Sequence, residues 1–357
     1  MKPEETGARI EIAGLSKHYG AHAAVADVNL SIEPGMFMTF LGPSGSGKST
    51  TLSMIAGFEK PTVGSILLDG RDISQLAPNA RHLGMVFQQY ALFPHMSVFE
   101  NVAYPLRRRR LSQNIIRARV ASVLDKVHLG AMSGKYPAQL SGGQQQRVAV
   151  ARAIVFQPRA LLMDEPFGAL DRKLRDELQM EVMRLHRDVG STFLFVTHDQ
   201  EEALALSDLI AVFNHGRIEQ VGTPLDLYHR PKTLFVAQFL GESNCFSGRI
   251  DGDRIVTDEG ALLTGPTKES SPFGTLIVRP EQTKLLKPTD KPGGVNVISA
   301  TITDIVFLGG SRRVVLRSLD RSREYTVRES GNVGIDFKRD DLVQIAWAPD
   351  AGHFVAR

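Results

Sequence analysis

The clearest chemistry in this chain sits in Gly42-Pro43-Ser44-Gly45-Ser46-Gly47-Lys48-Ser49-Thr50. Glycine, four residues, Gly-Lys and a hydroxyl residue is the spacing of a phosphate-binding loop. The glycines let backbone N–H groups turn inward, and a helix starting there aims its positive dipole end at the same point. Lys48 then reaches terminal phosphates, and the Ser49 hydroxyl is placed for Mg²⁺. The spacing predicts a site for a nucleoside triphosphate. A second glycine-rich start, Leu140-Ser141-Gly142-Gly143-Gln144, opens a further predicted helix over 145–155. It offers Ser141 and backbone amides to an anion but brings no lysine, so it reads as half a site or as a plain helix cap.

Elements must carry these residues. Met36 to Leu41 is a near-continuous apolar run that suits a strand buried on both faces, and Thr51 to Ala56 reads as the helix after the loop. Leu83 to Phe87 is a strand ending at Gln88. Ala160 to Met163 delivers Asp164 and Glu165, and Thr192 to Thr197 delivers His198. Parallel sheets bind ligands at that carboxyl edge; a lone histidine is usually structural, and one in register with an acidic pair and a phosphate loop points away from that reading toward a site. Asp199 and Glu202 have the spacing of a capping box for the next helix. Residues 8–33 alternate as strands, with a hairpin at Gly20-Ala21-His22. Tyr19, closing the first strand, either stacks on a purine ring or fills the sheet edge. Another short strand is read over 64–70.

The segment from Gln89 to Met96 is apolar and aromatic without a helix or strand period; it tucks into the core or offers a docking surface, and docking is preferred. Arg107 to Arg110 forms a basic run, read as a solvated helix face or as an attraction to anionic lipid headgroups. From Ser112 as N-cap, Ile116, Val120, Val123, Leu124 and Val127 recur at helical spacing, with the helix ending at Gly130. After about residue 241 short β-rich runs (246–257, 275–279, 297–308, 312–319, 323–328, 342–347) alternate with turns, which predicts a separate small all-β domain.

Bulk properties narrow the class. A chain of 357 residues exceeds one typical domain, and 42% hydrophobic with 23% charged residues is ordinary for a globular protein. A net charge of +3 is too mild to indicate nucleic acid. One cysteine, Cys245, excludes an intrachain disulfide and fits a reducing compartment. The N-terminus lacks the apolar stretch of a secretory signal, and no apolar run reaches the length of a membrane span. A membrane role is therefore expected only through partners.

Together these motifs make the chain resemble the ATP-binding subunit of an ABC transporter over roughly residues 8–240. The matching motifs are the loop 42–50, Gln88, the signature Leu140 to Gln144, Leu161 to Glu165, Gly168 to Asp171 and His198; Gly168 stands where Ser is more usual. The resemblance implies a P-loop NTPase α/β core with an inserted helical subdomain at about 89–155. It also implies an OB-like (TOBE) all-β domain over 242–357, for which Val278 to Glu281 and Phe307 to Gly309 are similar. It implies that Tyr19 stacks on adenine, and that Ser49 and Gln88 approach Mg²⁺ with Asp164 acting through its coordination shell. Glu165 is implied to polarise the attacking water and His198 to contact the γ-phosphate. Ser141, Gly142, Gly143 and Gln144 would complete the site of a second copy, so that two chains sandwich two ATP molecules. Asp171 would sit beside the same nucleotide. Residues 89–105 would dock two permease subunits at the cytoplasmic face of the inner membrane, with a solute-binding protein acting indirectly.

Detail around Phe87 to Met96, Gly222 to Tyr228 and Gly241 to Asn244 looks most like importers of polyamines (spermidine/putrescine). Importers of iron(III), sulfate, sugars and phosphonate share much of it. The other class considered is a soluble ABC-type ATPase acting on ribosomes or DNA through the β domain. The tail's few aromatics are not interleaved with Lys or Arg, so no nucleic-acid partner is expected.

Overall fold

The computed structural model describes residues 7–168, 172–265, 271–290, 292–330 and 337–356. The chain divides into two compact units, Met1–Pro224 and Leu225–Arg357.

The first unit runs β1 (Ile10–Tyr19), β2 (His22–Ile32), β3 (Phe37–Leu41), α1 (Lys48–Ala56), β4 (Val63–Leu68), β5 (Arg71–Asp72), β6 (Gly84–Val86), α2 (Val98–Arg108), α3 (Gln113–Lys126), α4 (Gly142–Ile154), β7 (Ala160–Asp164), α5 (Arg172–Val189), β8 (Thr192–Thr197), α6 (Gln200–Leu206), β9 (Leu209–Asn214) and β10 (Arg217–Gly222). Among the described residues its main sheet has the order β10-β9-β3-β8-β7-β6. The pairs β3–β9, β3–β8, β8–β7 and β7–β6 are parallel, and only β10 runs antiparallel to its neighbour. The apolar runs are uninterrupted because both faces are covered. Met38, Phe40, Leu162, Leu194 and Val196 face one buried cluster, while Phe37, Leu161, Met163, Phe193 and Phe195 face another. The first cluster also contains residues of an antiparallel sheet in the order β2-β1-β4-β5, whose hairpin pairs Tyr19 with His22.

Helices α2, α3 and α4 bury Val102, Leu106, Ile116, Val120, Leu124 and Val148 against one another. Ser97 and Glu100 form a capping box for α2 that the sequence reading missed. Other boundaries shift. α3 stops at Lys126 rather than Gly130, because His128 turns into the left-handed region (φ 56°) and a 3₁₀ turn takes over at Gly130–Met132. Ser112 occupies the N-cap position without a side-chain bond. α4 begins at Gly142, inside the glycine pair. All four arginines of the basic run are exposed, as a solvated face requires, and Arg109 also lies 3.8 Å over the Phe156 ring. No described helix is long and apolar enough to cross a membrane.

The second unit contains α7 (Pro224–His229, its first residue at the division), α8 (Leu234–Phe239), β11 (Asn244–Asp251), β12 (Arg254–Thr257), β13 (Leu262–Thr264), β14 (Phe273–Val278), β15 (Lys284–Leu286), β16 (Asn296–Phe307), β17 (Ser311–Ser318), β18 (Glu324–Ser330), β19 (Leu342–Trp347) and β20 (Gly352–Ala356). The run read as 246–257 is a hairpin, β11–β12. Two antiparallel sheets, β13-β12-β11-β14-β20 and β15-β19-β16-β17-β18, share one core in which Phe246 stacks on Trp347 at 5.0 Å.

The division falls earlier than the texture change near 241 because α7 and α8 are tied to β14. Buried Arg279 donates to the Tyr228 carbonyl at 2.7 Å, the Ala237 carbonyl at 2.9 Å and the Ser243 hydroxyl at 2.7 Å. The Tyr228 hydroxyl donates to Glu281 at 2.6 Å, and burial with that bond pushes its pKa up to about 12. A raised phenol pKa means that the fold favours the neutral form, so stability present below the unfolded value near 10 is lost as pH rises toward 12. Unfolding followed through Trp347, the one tryptophan, should show this alkaline loss. Tyr228→Phe should flatten it and cost about 1 kcal/mol at neutral pH.

Candidate functional site

Sheet register brings the chemistry to one edge. Leu41 pairs with Thr197 and Val196 with Asp164, so Gly42, His198 and Glu165 leave the sheet side by side. The loop can turn there only as glycine. Gly47 has φ 99°, and a Cβ on it would lie 2.6 Å from the Ala24 carbonyl oxygen; one on Gly42 would lie 2.3 Å from that of Phe213. Helix α1 starts with no side-chain cap and no acid in its first turn. Its first N–H groups are therefore left as donors for an anion. The Lys48 ammonium is buried in the loop and donates to the carbonyls of Gly42 and Pro43, each at 2.8 Å. Burial pushes its pKa down, and the charges of Glu165 and Asp164 partly restore it.

The acidic pair splits its duties. Asp164 accepts a bond from the Ser49 hydroxyl at 3.0 Å, and burial raises its pKa against that bond. Glu165 stands in the left-handed region at φ 42°, its N–H held by the Val196 carbonyl at 2.9 Å. Such a conformation costs a non-glycine residue about 1–3 kcal/mol and clusters at functional sites. Its two oxygens diverge: Oε1 lies 3.0 Å from His198 Nδ1, and the Gln88 amide donates to Oε2 at 3.4 Å. Nothing in the sequence announced that backbone angle.

Asp199 caps α6 by accepting from the N–H groups of Glu201 and Glu202 at 2.9 and 3.2 Å. The expected reciprocal box does not form, because the Glu202 carboxylate takes the Thr197 hydroxyl at 2.7 Å instead, and that hydroxyl oxygen accepts the Asp199 N–H. Arg175, which the sequence reading missed, pairs with Asp199 at 3.1 Å and braces the segment carrying His198. Its signal was too diffuse to see: one arginine on a helix rich in charge.

Tyr19 ends β1 half exposed, with the Lys17 ammonium 5.0 Å from its ring. The signature residues form a complete cap of their own. The Ser141 hydroxyl accepts the Gln144 N–H at 3.3 Å, and the Gln144 side chain accepts the Ser141 N–H at 3.1 Å. Gly142 opens α4, and a Cβ on Gly143 would lie 2.9 Å from Leu174. No hydrogen bond among the described residues joins 141–144 to the cluster of Lys48, Ser49, Asp164, Glu165, Gln88 and His198. Asp171 lies outside the described residues.

The cluster can neutralise a phosphate chain with Lys48 and the uncapped α1 start, and it can orient a water with Glu165. In-line phosphoryl transfer needs little else from a protein. Ser49 and Asp164 present adjacent hard oxygens, the donor type that Mg²⁺ takes. Among the described residues no group of three or more His, Cys, Asp or Glu could hold a metal by protein alone.

Comparison with known proteins gives the same outline. The "ABC transporter" family model matches residues 25–168 and the "TOBE domain" model residues 276–355. A spermidine/putrescine import ATP-binding protein of Thermobifida fusca is 46% identical over 96% of this chain and 92% of its own length. Its counterpart in Chromobacterium violaceum is 44% identical over 98% of this chain and 99% of its own. Among solved structures, a dimeric bacterial ABC transporter cassette, MJ0796, is 35% identical with a TM-score of 0.55, over 60% of this chain and 98% of that one. CbiO1 of Clostridium perfringens, part of the CbiONQ transporter complex, is 29% identical with a TM-score of 0.58, over 61% of this chain and 89% of its own.

Replacing Gly47 by Ala should force the Ala24 strand or the loop to move. Thermal denaturation should show a loss of about 1–3 kcal/mol for the first unit, and an unshifted transition would contradict the close approach.

Proposed function

Because the chain belongs to the family of ABC transporter ATP-binding proteins, we propose that it is the ATP-hydrolysing subunit that drives import of a polyamine. The observation that supports this most is the Glu165 carboxylate, bonded between Gln88 and His198 beside a buried lysine and an uncapped helix start. Lys48 and the α1 amides hold the phosphates of ATP, and residues 42–50 enclose them. Ser49 and Asp164, with Gln88 at the edge, hold Mg²⁺, which neutralises phosphate charge when bound. Glu165 aligns the attacking water, and His198 meets the γ-phosphate from the facing strand end. Tyr19 supplies a stacking face for adenine. Polyamine as the solute rests on the names of the full-length relatives, since no residue of an ATPase subunit touches what is transported.

The signature cap is the reason for pairing two copies. Ser141 to Gln144 make a capped, glycine-rich helix start that, among the described residues, bonds nothing in its own chain's cluster. Facing the loop of a second copy, it would complete a site around ATP, and hydrolysis would remove the γ-phosphate that bridges the halves. Residues 89–105 would meet two permease subunits at the cytoplasmic face of the membrane, with a solute-binding protein acting through them.

Glu165→Gln should bind ATP as the wild type does, lose at least about a hundredfold in turnover, and elute as a dimer in ATP. Monomers of that variant in ATP would count against the sandwich. Lys48→Ala should weaken nucleotide binding itself; normal ATP affinity would displace the phosphate assignment. Purified with its permeases in lipid nanodiscs, the chain should hydrolyse ATP faster when the solute-binding protein carries spermidine than when it carries a sugar.

A further inference from the structure

Two residues after Gln88 the chain makes a turn that its side chains disfavour. Tyr90 has φ 59° and Ala91 φ 46°, both left-handed, and neither is glycine. The turn is tight: the Tyr90 N–H reaches the Phe87 carbonyl at 2.9 Å and the Ala91 N–H the Gln89 carbonyl at 2.6 Å. Something must hold it. The Tyr90 ring is buried in the cluster of Val86, Ala149, Val150 and Phe167. Its carbonyl accepts Arg152 Nη2 at 2.9 Å, and the Ala91 carbonyl accepts Nη1 of the same guanidinium at 2.8 Å. Arg152 also lies over the Phe93 ring at 5.5 Å.

The segment beyond is fixed differently. Fully buried Asn101 of α2 accepts the Phe93 N–H at 2.9 Å and donates to the carbonyls of Phe93, Met96 and Ser97 at 3.0–3.1 Å. The turn thus belongs to α4, the helix that begins at the signature cap, and its continuation belongs to α2. On the other side of the turn, Gln88 reaches Glu165.

We propose that Arg152 is a positioning residue for hydrolysis. Its planar fork holds the Tyr90-Ala91 turn, and that turn sets where Gln88 stands against Glu165. A displacement of the signature helix is thereby carried through two backbone carbonyls to the carboxylate that orients water. The role in turnover rests on the ATPase reading above; the clamp itself does not. Lysine cannot replace the fork, since one ammonium lacks the paired planar donors that match two adjacent carbonyls.

The test compares Arg152→Lys, Arg152→Ala and Arg152→Ala/Ala91→Gly with the wild type. Hydrogen exchange at the Tyr90 and Ala91 amides should quicken by about tenfold in Arg152→Lys without nucleotide. ATPase kcat should fall by about tenfold with KM for ATP changed by less than about twofold. Ala91→Gly should return about half of the lost kcat to the alanine variant, because glycine adopts the left-handed angle freely. Unchanged exchange and unchanged kcat in Arg152→Ala would overturn the proposal. So would a joint loss of kcat, ATP affinity and melting temperature that Ala91→Gly does not relieve, which would mark Arg152 as scaffolding only. A wild type without ATPase activity that Glu165→Gln abolishes would overturn the hydrolytic reading instead, and the exchange data would still judge the clamp.

Discussion

Positive charge is held at one point of the first unit by hydrogen bonds, against the cost of its burial. The Lys48 ammonium lies inside the turn that feeds α1, bonded to the Gly42 and Pro43 carbonyls, with the uncapped helix start beside it. Burial disfavours an unpaired ammonium, and the carboxylates of Asp164 and Glu165 make up only part of the loss. A polyanion brought to the loop supplies the missing counter-charge. The rest of the site follows from this: the acidic pair at the end of β7, with Ser49, Gln88 and His198 as its hydrogen-bond partners, has a place because the lysine has one.

Around that point the chain uses arginine in an unusual way. Arg81 bonds the Met54 and Ile55 carbonyls at the end of α1, at 2.6 and 2.8 Å, and the Ser74 and Leu76 carbonyls at 3.0 and 2.9 Å. Arg152 holds the turn after Gln88, and in the second unit Arg279 holds the ends of α7 and α8. In each case a planar cation bonds carbonyls at a helix end or in an irregular turn. Gly57 is required by this arrangement, since a Cβ there would lie 2.6 Å from Arg81 Nε. The phosphate helix is thus fixed at its far end by a guanidinium and left open at its near end for a ligand.

The signature cap shows how one structural device has two readings. Within the chain, Ser141 and Gln144 simply satisfy each other. The second purpose proposed for the cap needs another copy to supply the loop. Among the described residues the cap makes no hydrogen bond to its own chain's cluster, which is the physical ground on which catalysis between two copies is proposed.

The sequence by itself determined the α/β class, the strand ends that carry Gln88, Asp164, Glu165 and His198, the phosphate loop and the all-β tail. These are local matters: runs of apolar residues long enough to cover two faces, glycine where only glycine turns, and a lysine at fixed spacing from them. Tertiary structure alone decided which oxygen of Glu165 meets His198 and which meets Gln88, and that Glu202 abandons Asp199 for Thr197. It also decided that α3 ends before Gly130, that α7 and α8 join the β unit, and that Arg152 grips a turn sixty-one residues behind it. Each of these depends on a partner far away in the chain competing for the same donor or acceptor, and spacing along a sequence carries no record of that competition.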